Sequence, residues 1–290
     1  MDLGGGPKLR TVVCVQGQLG LEGIPTKLVR VTPARLATWA QCPRRYRMTY
    51  LDRPTPSRAG AWAHSTLGAV VHNVLRAFFE LRPEKRTAEQ LPALLRRYWK
   101  NDGFADAEQI ARHRERAHEW LRCYVEQLDP GETPLAVERW VSAPVGSIIA
   151  EGRVDRIDER DGELVVVDYK TGRHALTVDD ARDSLALALY ALATRKNMRK
   201  PCRRVELHHL PSGRTAGWEH TDESLGEQLA RAERLAAELQ AATDAWEVDG
   251  DEDAFAPLTG RHCSWCDFRA HCAAGRRAAP DVKPWALLGE

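Results

Sequence analysis

The sequence predicts an α/β protein with a mixed central sheet flanked by helices. Two runs of strand-forming residues within 151–170 flank an Asp161-Gly162 pair, which is the strongest short-range signal for a two-residue hairpin turn. A helical pattern over 177–194 follows the hairpin and leads to a further strand at 205–210. Because a strand, a crossover helix and a strand form a parallel unit, the sheet is expected to combine an antiparallel hairpin with a parallel addition.

Further helical patterns supply the layers around this sheet. Residues 66–81 carry apolar side chains at helical spacing, namely Leu67, Val70, Val71, Val74, Leu75 and Phe78. A second long helix is predicted over 225–239, with Thr221 or Asp222 as its N-cap. Residues 83–130 are predicted to form a helical subdomain of two or three helices that packs on the sheet.

The hairpin brings acidic side chains together. With Asp161-Gly162 as the turn, Asp155 faces Asp168, and directly opposed residues have Cβ atoms about 4.5 to 5.5 Å apart. Lys170 shares the face of Asp168 because side chains alternate along a strand. Carboxylates this close repel unless a cation lies between them, and their oxygen atoms suit a hard divalent ion such as Mg²⁺ or Mn²⁺. The alternative is a surface salt-bridge cluster, but the continuous apolar run 164–167 favours a strand that is covered on both faces.

Composition narrows the class of protein. The chain has 290 residues, enough for one large domain or two small ones, and its net charge of +1 excludes a globally basic nucleic-acid binder. No run approaches the roughly 20 apolar residues of a membrane span, and the N-terminus lacks the features of a secretory signal. We therefore expect a cytoplasmic protein without membrane contact, in which the seven cysteines are metal ligands or free thiols rather than disulfides.

Residues 1–30 are interpreted as an N-terminal extension of unknown structure, and residues 31–290 as the folded domain. A helix is predicted to begin after the N-cap Thr32 and to end at Cys42-Pro43. The basic and aromatic segment that follows is a candidate contact for phosphate groups, through Arg44, Arg45 and Arg47. A second basic candidate is the connection 195–204.

The C-terminal region 255–275 carries a C-x2-C-x5-C array formed by Cys263, Cys266 and Cys272. Such spacing in a cytoplasmic protein predicts a metal site, and both tetrahedral ions and iron-sulfur clusters call for a fourth ligand. Cys42 is the preferred fourth ligand because it ends a helix just before a basic turn. His262 and His271 are alternatives that would favour zinc.

Five motifs in order resemble the RecB-like branch of the PD-(D/E)XK nuclease superfamily, and more closely its iron-sulfur members such as the AddB nuclease domain and CRISPR-associated exonucleases. The likeness spans residues 31–275. The motifs are Gly68 to His72 (G-x-x-x-H), Gly152 to Asp158 (G-x-V-D-R-I-D), Val167 to Gly172 (V-D-Y-K-T-G), Cys-Pro-Arg-Arg-Tyr from Cys42, and the cysteine array.

The resemblance implies a restriction-endonuclease-like fold and assigns roles to residues. His72, Asp155, Asp168 and the Tyr169 backbone carbonyl would hold Mg²⁺ or Mn²⁺, and Lys170 would orient the attacking water. The four cysteines would hold a 4Fe-4S cluster, with structural zinc as the alternative. Two further groups are possible accessories: Glu138, on a predicted strand at 135–141, and Tyr190. The family's Q-x-x-x-Y motif is incomplete here, because Ala186 replaces the glutamine four residues before Tyr190.

The expected function is metal-dependent hydrolysis of DNA in repair or recombination, most simply by an exonuclease acting on single strands or ends. The chain has no G-x-x-x-x-G-K-[ST] loop, so ATP-driven unwinding would need a helicase partner. A catalytically weak or inactive DNA-binding scaffold of the same fold is the main alternative. A structural zinc site in an unrelated hydrolase is another.

Overall fold

The computed structural model describes residues 28–129 and 133–289. Cys14 and nearly all of the predicted N-terminal extension lie outside this part of the chain. Within it, six strands form one sheet: β1 Val29–Val31, β2 Ala136–Val145, β3 Ile148–Arg160, β4 Glu163–Lys170, β5 Cys202–His209 and β6 Arg214–Glu219. The described helices are α1 Pro33–Gln41, α2 Pro43–Tyr50, α3 Ala63–Phe79, α4 Leu91–Tyr98, α5 Ala107–Glu126, α6 Val178–Arg182, α7 Leu185–Met198, α8 Asp222–Asp249 and α9 Ala273–Ala278.

The sheet is mixed, as predicted. Its strand order is β1-β3-β4-β5-β6, and β2 pairs with the other side of β3. The pairs β2–β3, β3–β4 and β5–β6 are antiparallel, whereas β1–β3 and β4–β5 are parallel. Residues 29 and 30, which the sequence analysis assigned to the extension, belong to β1, so the sheet begins slightly earlier than expected.

The β3–β4 hairpin has the predicted turn and register. Asp161 and Gly162 both have positive φ angles, 52° and 81°, which is the conformation that a type I′ turn requires. Arg160 pairs with Glu163 and Arg156 pairs with Val167, and the same register places Asp155 beside Asp168.

Strand β4 is covered on both faces. Leu164 and Val166 belong to one hydrophobic core, and Val165 and Val167 to another, with at most 2% of each residue exposed. The first core contains α1, α7 and α8, and the second contains α3, α4 and α5. The predicted helical subdomain thus packs on one face of the sheet, and α7 lies on the other.

Helix boundaries agree with the sequence signals at several places. Thr32 caps α1, Thr221 caps α8, and Cys42 lies between α1 and α2. The single helical pattern predicted over 177–194 is instead two helices, α6 and α7. The break occurs because the Ser184 hydroxyl accepts a hydrogen bond from the Leu187 amide and starts a new helix.

Candidate functional site

Three carboxylates meet at the centre of the sheet, one on each of three neighbouring strands. Asp155 on β3 faces Asp168 on β4. On the other side, β2 register pairs Val137 with Arg156 and Arg139 with Val154, which places Glu138 next to Asp155. Glu138 has a φ of 49°, a left-handed conformation that is uncommon for a residue with a side chain. The sequence predicts Glu138 only as an accessory, although Gly146-Ser147, a two-residue turn between Val145 and Ile148 with a positive φ at Gly146, is a local signal for the pairing of β2 with β3.

Helix α3 adds an imidazole to this group. His72 Nδ1 lies 3.4 Å from Asp155 Oδ2, and His72 Nε2 lies 3.1 Å from the Tyr169 backbone carbonyl oxygen. The Tyr169 amide donates a hydrogen bond of 2.9 Å to the same Asp155 oxygen. The backbone of one β4 residue, Tyr169, therefore holds both Asp155 and His72.

Lys170 lies on the Asp168 side of β4. Its ammonium group forms an ion pair with Asp168 Oδ2, and 45% of the Lys170 side chain is exposed. The Asp168 side chain is only 17% exposed. The structure therefore brings together His72, Asp155, Asp168, the Tyr169 carbonyl and Lys170, which the sequence analysis had placed in one site.

Crowding of the carboxylates perturbs their protonation. Burial raises the pKa of Asp168, the charge of Asp155 raises it further, and Lys170 acts in the opposite direction. Burial and the charge of Asp155 also raise the pKa of Glu138. For His72, burial favours a lower pKa, but the hydrogen bond and charge of Asp155, with the charges of Asp168 and Glu138, outweigh burial and raise it. A bound cation would relieve the repulsion that these shifts express.

The donor set fits a hard divalent ion. One ligand atom from each of His72, Glu138 and Asp155 lies within 4.8 Å of the other two. The 3.1 Å between His72 Nε2 and the Tyr169 carbonyl oxygen is an ordinary hydrogen-bond distance, and this contact places both atoms beside Asp155. Carboxylate, carbonyl and imidazole donors suit magnesium and manganese better than soft ions.

Tyr190 on α7 borders the site. A Cβ atom at Gly152 would lie 2.7 Å from the Tyr190 ring, so the glycine lets this ring approach β3 closely. Burial and the charges of Asp168 and Asp155 raise the pKa of Tyr190 to about 12, so its phenol remains a hydrogen-bond donor at neutral pH. Ala186 lies one helical turn earlier on α7 and has no polar group to offer.

The opposite side of β4 carries a buried polar network that the sequence analysis did not anticipate. The Tyr124 hydroxyl hydrogen-bonds His208 Nδ1 at 2.8 Å, and His208 Nε2 bonds Glu206 Oε2 at 3.0 Å. The Tyr169 ring packs edge-on against Tyr124 and His208. The side chain of the residue whose backbone holds Asp155 and His72 is thus anchored in this network.

A second candidate centre lies beside α2. Its cavity is lined by four cysteines, Cys42, Cys263, Cys266 and Cys272. The predicted quartet is therefore brought together, whereas Cys202 lies in the core of β5 and Cys123 on α5. A lining of four cysteines fits either tetrahedral zinc or an iron-sulfur cluster.

Cationic and polar groups surround this cavity. Arg44, Arg45 and Arg269 line it, and the Gly275 amide donates a hydrogen bond of 3.3 Å to Cys272 Sγ. Burial raises the pKa of the Cys266 thiol, against the opposing charge of Arg45.

The two alternative histidine ligands are engaged with backbone carbonyls. His262 Nε2 lies 3.0 Å from the Leu258 oxygen, and His271 Nε2 lies 3.1 Å from the Ser57 oxygen. Each imidazole therefore already has a hydrogen-bond partner at this nitrogen.

The predicted DNA contacts differ in their surroundings. Arg47 is 8% exposed, forms ion pairs with Asp52 and Glu252, and lies over the Trp246 ring. Arg47 is thus a packing residue, and its prediction as a DNA contact is corrected. The basic residues around Arg47 in the sequence gave no sign of its burial, because that burial depends on α8 and the segment after it, which are far away in the sequence.

The basic connection 195–204 lies at the far end of the sheet. Leu164 pairs with Cys202 near the hairpin turn, whereas Lys170 pairs with His209 at the opposite end of β4. At 3.3 Å per residue, the two ends are about 20 Å apart. This segment is therefore not adjacent to the acidic site.

Comparison with known proteins decides the family. The model of the PD-(D/E)XK nuclease superfamily matches residues 30–273, which contain both candidate centres. This chain belongs to the PD-(D/E)XK nuclease superfamily. No curated protein sequence matches the chain.

Two solved structures are similar to this PD-(D/E)XK protein. The "putative exonuclease" from Eubacterium rectale is 11% identical with a TM-score of 0.44, and the match covers 72% of this chain and 79% of that one. The protein SSO0001 is 14% identical with a TM-score of 0.35, covering 87% and 90%. At these values neither structure informs the chemistry of the site.

Membership of the PD-(D/E)XK superfamily identifies a nuclease that uses divalent metal ions. It also agrees with the restriction-endonuclease-like fold expected from the sequence. Within residues 28–129 and 133–289, no helix combines the length and apolar character needed to cross a membrane.

Proposed function

We propose that this protein is a Mg²⁺- or Mn²⁺-dependent deoxyribonuclease of the RecB-like, AddB-like branch, and that it acts as an exonuclease on single-stranded DNA or DNA ends. The observation that carries the proposal is the position of Asp155. It lies between Asp168 and Glu138, and it contacts His72 and the Tyr169 amide. A surface salt-bridge cluster would not need an imidazole and a backbone carbonyl aimed at the same point.

The residues that would hold the metal are Asp155, Asp168, His72 and the Tyr169 carbonyl, with Glu138 as a further ligand. When bound, the ion polarises the scissile phosphate and lowers the pKa of a bound water molecule. The carboxylates must be charged to act as ligands, so the raised pKa values of Asp168 and Glu138 imply that metal binding weakens as the pH falls.

Lys170 and Tyr190 would act on the substrate side. Lys170 is half exposed beside Asp168, where its ammonium can orient the attacking water and stabilise negative charge on the phosphate. The protonated phenol of Tyr190 lies near Asp155 and Asp168 and can donate a hydrogen bond to a phosphate oxygen or a water molecule.

The test is cleavage of end-labelled DNA with Mg²⁺ or Mn²⁺ under reducing, oxygen-free conditions. Linear single strands, linear duplexes and a covalently closed single-stranded circle are compared for the wild type and for Lys170→Ala. We expect the wild type to shorten linear strands progressively and to leave the circle intact, and the variant to be at least about 100-fold slower. Cutting of the circle would show an endonuclease, and equal rates for both proteins would reject this active centre.

We also propose that the cysteine cavity holds a 4Fe-4S cluster. Four cysteines line the cavity, as in the iron-sulfur members that the chain resembles, and arginines beside them can offset the negative charge of a thiolate cluster. The cluster would join α2 to the C-terminal segment and shape the nearby surface. We also propose a cytoplasmic location, where thiols stay reduced and DNA is at hand.

The cluster is tested by anaerobic purification, visible absorbance, and iron and sulfide content. We expect a brown protein with about four irons per chain, and loss of colour in Cys263→Ser. Cys123→Ser is the matched control because Cys123 lies on α5, away from the cavity. A colourless protein with one zinc per chain would replace the cluster by a structural zinc site.

Arg44 and Arg45, which are half buried near the cysteine cavity, are still proposed as DNA contacts, and so is the remote segment 195–204. A helicase partner and a role in repair or recombination follow from the resemblance to the RecB-like branch. Binding through these arginines should weaken as salt rises.

Ala186 favours the scaffold alternative, because the missing glutamine would contribute a polar group near the site. An inactive scaffold would bind DNA and leave every substrate intact at all metal concentrations. Slow but metal-dependent cleavage would instead identify a weak enzyme.

A further inference from the structure

Trp140 is an exposed tryptophan on the edge strand β2. It is 57% exposed, and it is the one aromatic residue among the exposed large hydrophobic residues of the described chain. Within this part of the molecule, no aromatic ring or guanidinium group stacks on its indole. Its ring is therefore open to a ligand.

Trp140 is connected to the acidic site by a short series of contacts. It pairs directly with Arg153 on β3, so the two Cβ atoms are about 4.5 to 5.5 Å apart. Arg153 Nε lies 2.7 Å from Glu138 Oε2, and Glu138 belongs to the group formed with His72 and Asp155. Trp140 is also two residues from Glu138, about 7 Å along β2. A strand bound at the metal site would pass close to this tryptophan.

The charges beside Trp140 suit a polyanion. The Arg153 side chain is 65% exposed, and the Arg76 side chain, one helical turn after His72 on α3, is 36% exposed. Lys170 adds a third exposed cation on the Asp168 side of the site. An acidic cluster bordered by cations is arranged to accept a phosphate backbone, and the indole next to Arg153 offers an apolar face beside that backbone.

We infer that Trp140 stacks on an unpaired nucleobase of the substrate, while Arg153 contacts the adjoining phosphate. This inference rests on the proposed nuclease function and specifies its substrate as single-stranded DNA or a frayed end. Bases in an intact duplex have both faces covered by neighbouring bases, so the indole can stack only on a base that has left the helix. Aromatic stacking tolerates any base, and the site therefore selects strandedness rather than sequence.

The experiment measures binding of a fluorescein-labelled single-stranded 12-mer by fluorescence anisotropy, with calcium replacing magnesium. A series of 12-mers, each lacking one base at a different abasic position, is compared with the intact strand and with a blunt duplex. The proteins are the wild type, Trp140→Ala, the conservative variant Trp140→Phe, and Val248→Ala. Val248 is a matched exposed apolar residue on α8, 79% exposed.

We expect Trp140→Ala to bind the single strand about 5- to 150-fold more weakly, the range that corresponds to loss of one stacked base. Trp140→Phe should recover most of the affinity, and Val248→Ala should equal the wild type. The wild type should also lose affinity when one particular base is absent, and Trp140→Ala should be insensitive at that position. The same affinity in the alanine variant, or a flat abasic series in the wild type, would overturn the inference.

Two controls separate this inference from the proposed function. Cleavage of an oligonucleotide that is abasic at every position needs the acidic site but offers no ring to the indole, so the wild type and Trp140→Ala should cleave this strand equally. Failure of the wild type to cleave either this strand or intact DNA would reject the nuclease, whereas the abasic series would still report on Trp140. A change in molecular mass in solution for Trp140→Ala would show that the indole faces another protein chain, and would also overturn the inference.

Discussion

The acidic site and the cysteine cavity are built in opposite ways. Asp155, Asp168 and Lys170 come from one hairpin of β3 and β4, and the sheet register alone places them together. The cysteines come from the start of α2 and from a C-terminal segment of short turns, and Cys263 lies 221 positions after Cys42. The first group is an outcome of the hydrophobic core, whereas the second joins distant parts of the chain.

Because of this difference, we expect the fold of the two centres to depend to different degrees on a bound metal. Strand β4 is buried on both faces, so the carboxylates stay in place with or without an ion. The segment around Cys263 has little regular structure, and a bound cluster would supply much of its order. We therefore expect loss of the divalent ion to remove activity without unfolding, and loss of the cluster to unfold this region of the protein.

The largest effect is expected at the acidic site. Asp168→Asn removes one charged ligand and the partner of Lys170, and we expect DNA cleavage to fall by at least about 100-fold with little loss of stability. Asp161→Asn makes the same chemical change at the exposed hairpin turn, where asparagine also tolerates the left-handed conformation, and should cleave at the wild-type rate. Rates are measured at saturating Mn²⁺. If both variants lose activity together, the hairpin fold rather than the ligand is responsible.

At the cysteine centre the expected loss is mainly one of stability. Cys263→Ser should lose visible absorbance and unfold at a lower temperature, with increased proteolysis after residue 255, because cluster binding and local folding are coupled. Circular dichroism and limited proteolysis measure these changes. Unaltered thermal unfolding in a colourless variant would show that the C-terminal segment folds without any cluster.

The network behind β4 should contribute to stability and not directly to catalysis. Burial disfavours a charged Glu206, but hydrogen bonds from His208, Arg204 and Arg160 outweigh burial and hold its pKa well below the usual range. Glu206→Gln should therefore reduce the free energy of unfolding by about 1 to 3 kcal/mol at pH 7.

The pH dependence of this effect has a definite sign. A depressed folded-state pKa stabilises the protein above the unfolded-state pKa, about 4.3 for glutamate, and this stabilisation is lost as the pH falls toward the folded-state value. Urea unfolding at pH 7 and pH 3 measures it. The difference between the wild type and Glu206→Gln should narrow at pH 3, and a wider difference there would contradict the assignment.

The smallest effect is expected on α7. Ala186→Gln restores the polar group that the RecB-like motif has one turn before Tyr190. One added hydrogen bond to Lys170 or DNA corresponds to a gain of about fivefold in cleavage rate. Ala186→Leu is the control for side-chain size. A gain in both variants would indicate packing instead of a polar contact.

The sequence predicted those parts of the site that depend on local patterns. The Asp-Gly turn sets the β3–β4 register, so the position of Asp155 opposite Asp168 could be predicted from the sequence alone. Glu138 was underrated although the Gly146-Ser147 turn sets the β2–β3 register that places it next to Asp155, because a Gly-Ser pair is a weaker hairpin signal than Asp-Gly. Arg47 was misassigned because Glu252, unlike its local partner Asp52, is far away in the sequence and reaches Arg47 only in the folded chain.

The break between α6 and α7 and the identity of the metal at the cysteines are two further features that the sequence pattern alone does not decide. The break at Ser184 is a side-chain cap inside an otherwise helical pattern, which periodicity alone does not distinguish from a continuous helix. Cysteine spacing indicated a metal site, but zinc and an iron-sulfur cluster both bind four thiolates, so spacing alone does not choose between them.

The most direct test of the central claim is a titration of DNA cleavage with Mn²⁺ for the wild type and Asp155→Asn. Asp155 is the carboxylate that contacts both His72 and the Tyr169 amide, so every ligand arrangement at this site requires it. We expect the cleavage rate of the wild type to rise with Mn²⁺ concentration and then saturate, and that of Asp155→Asn to show no measurable saturation. Wild-type cleavage that persists in excess chelator, or an identical titration curve for the two proteins, would contradict it.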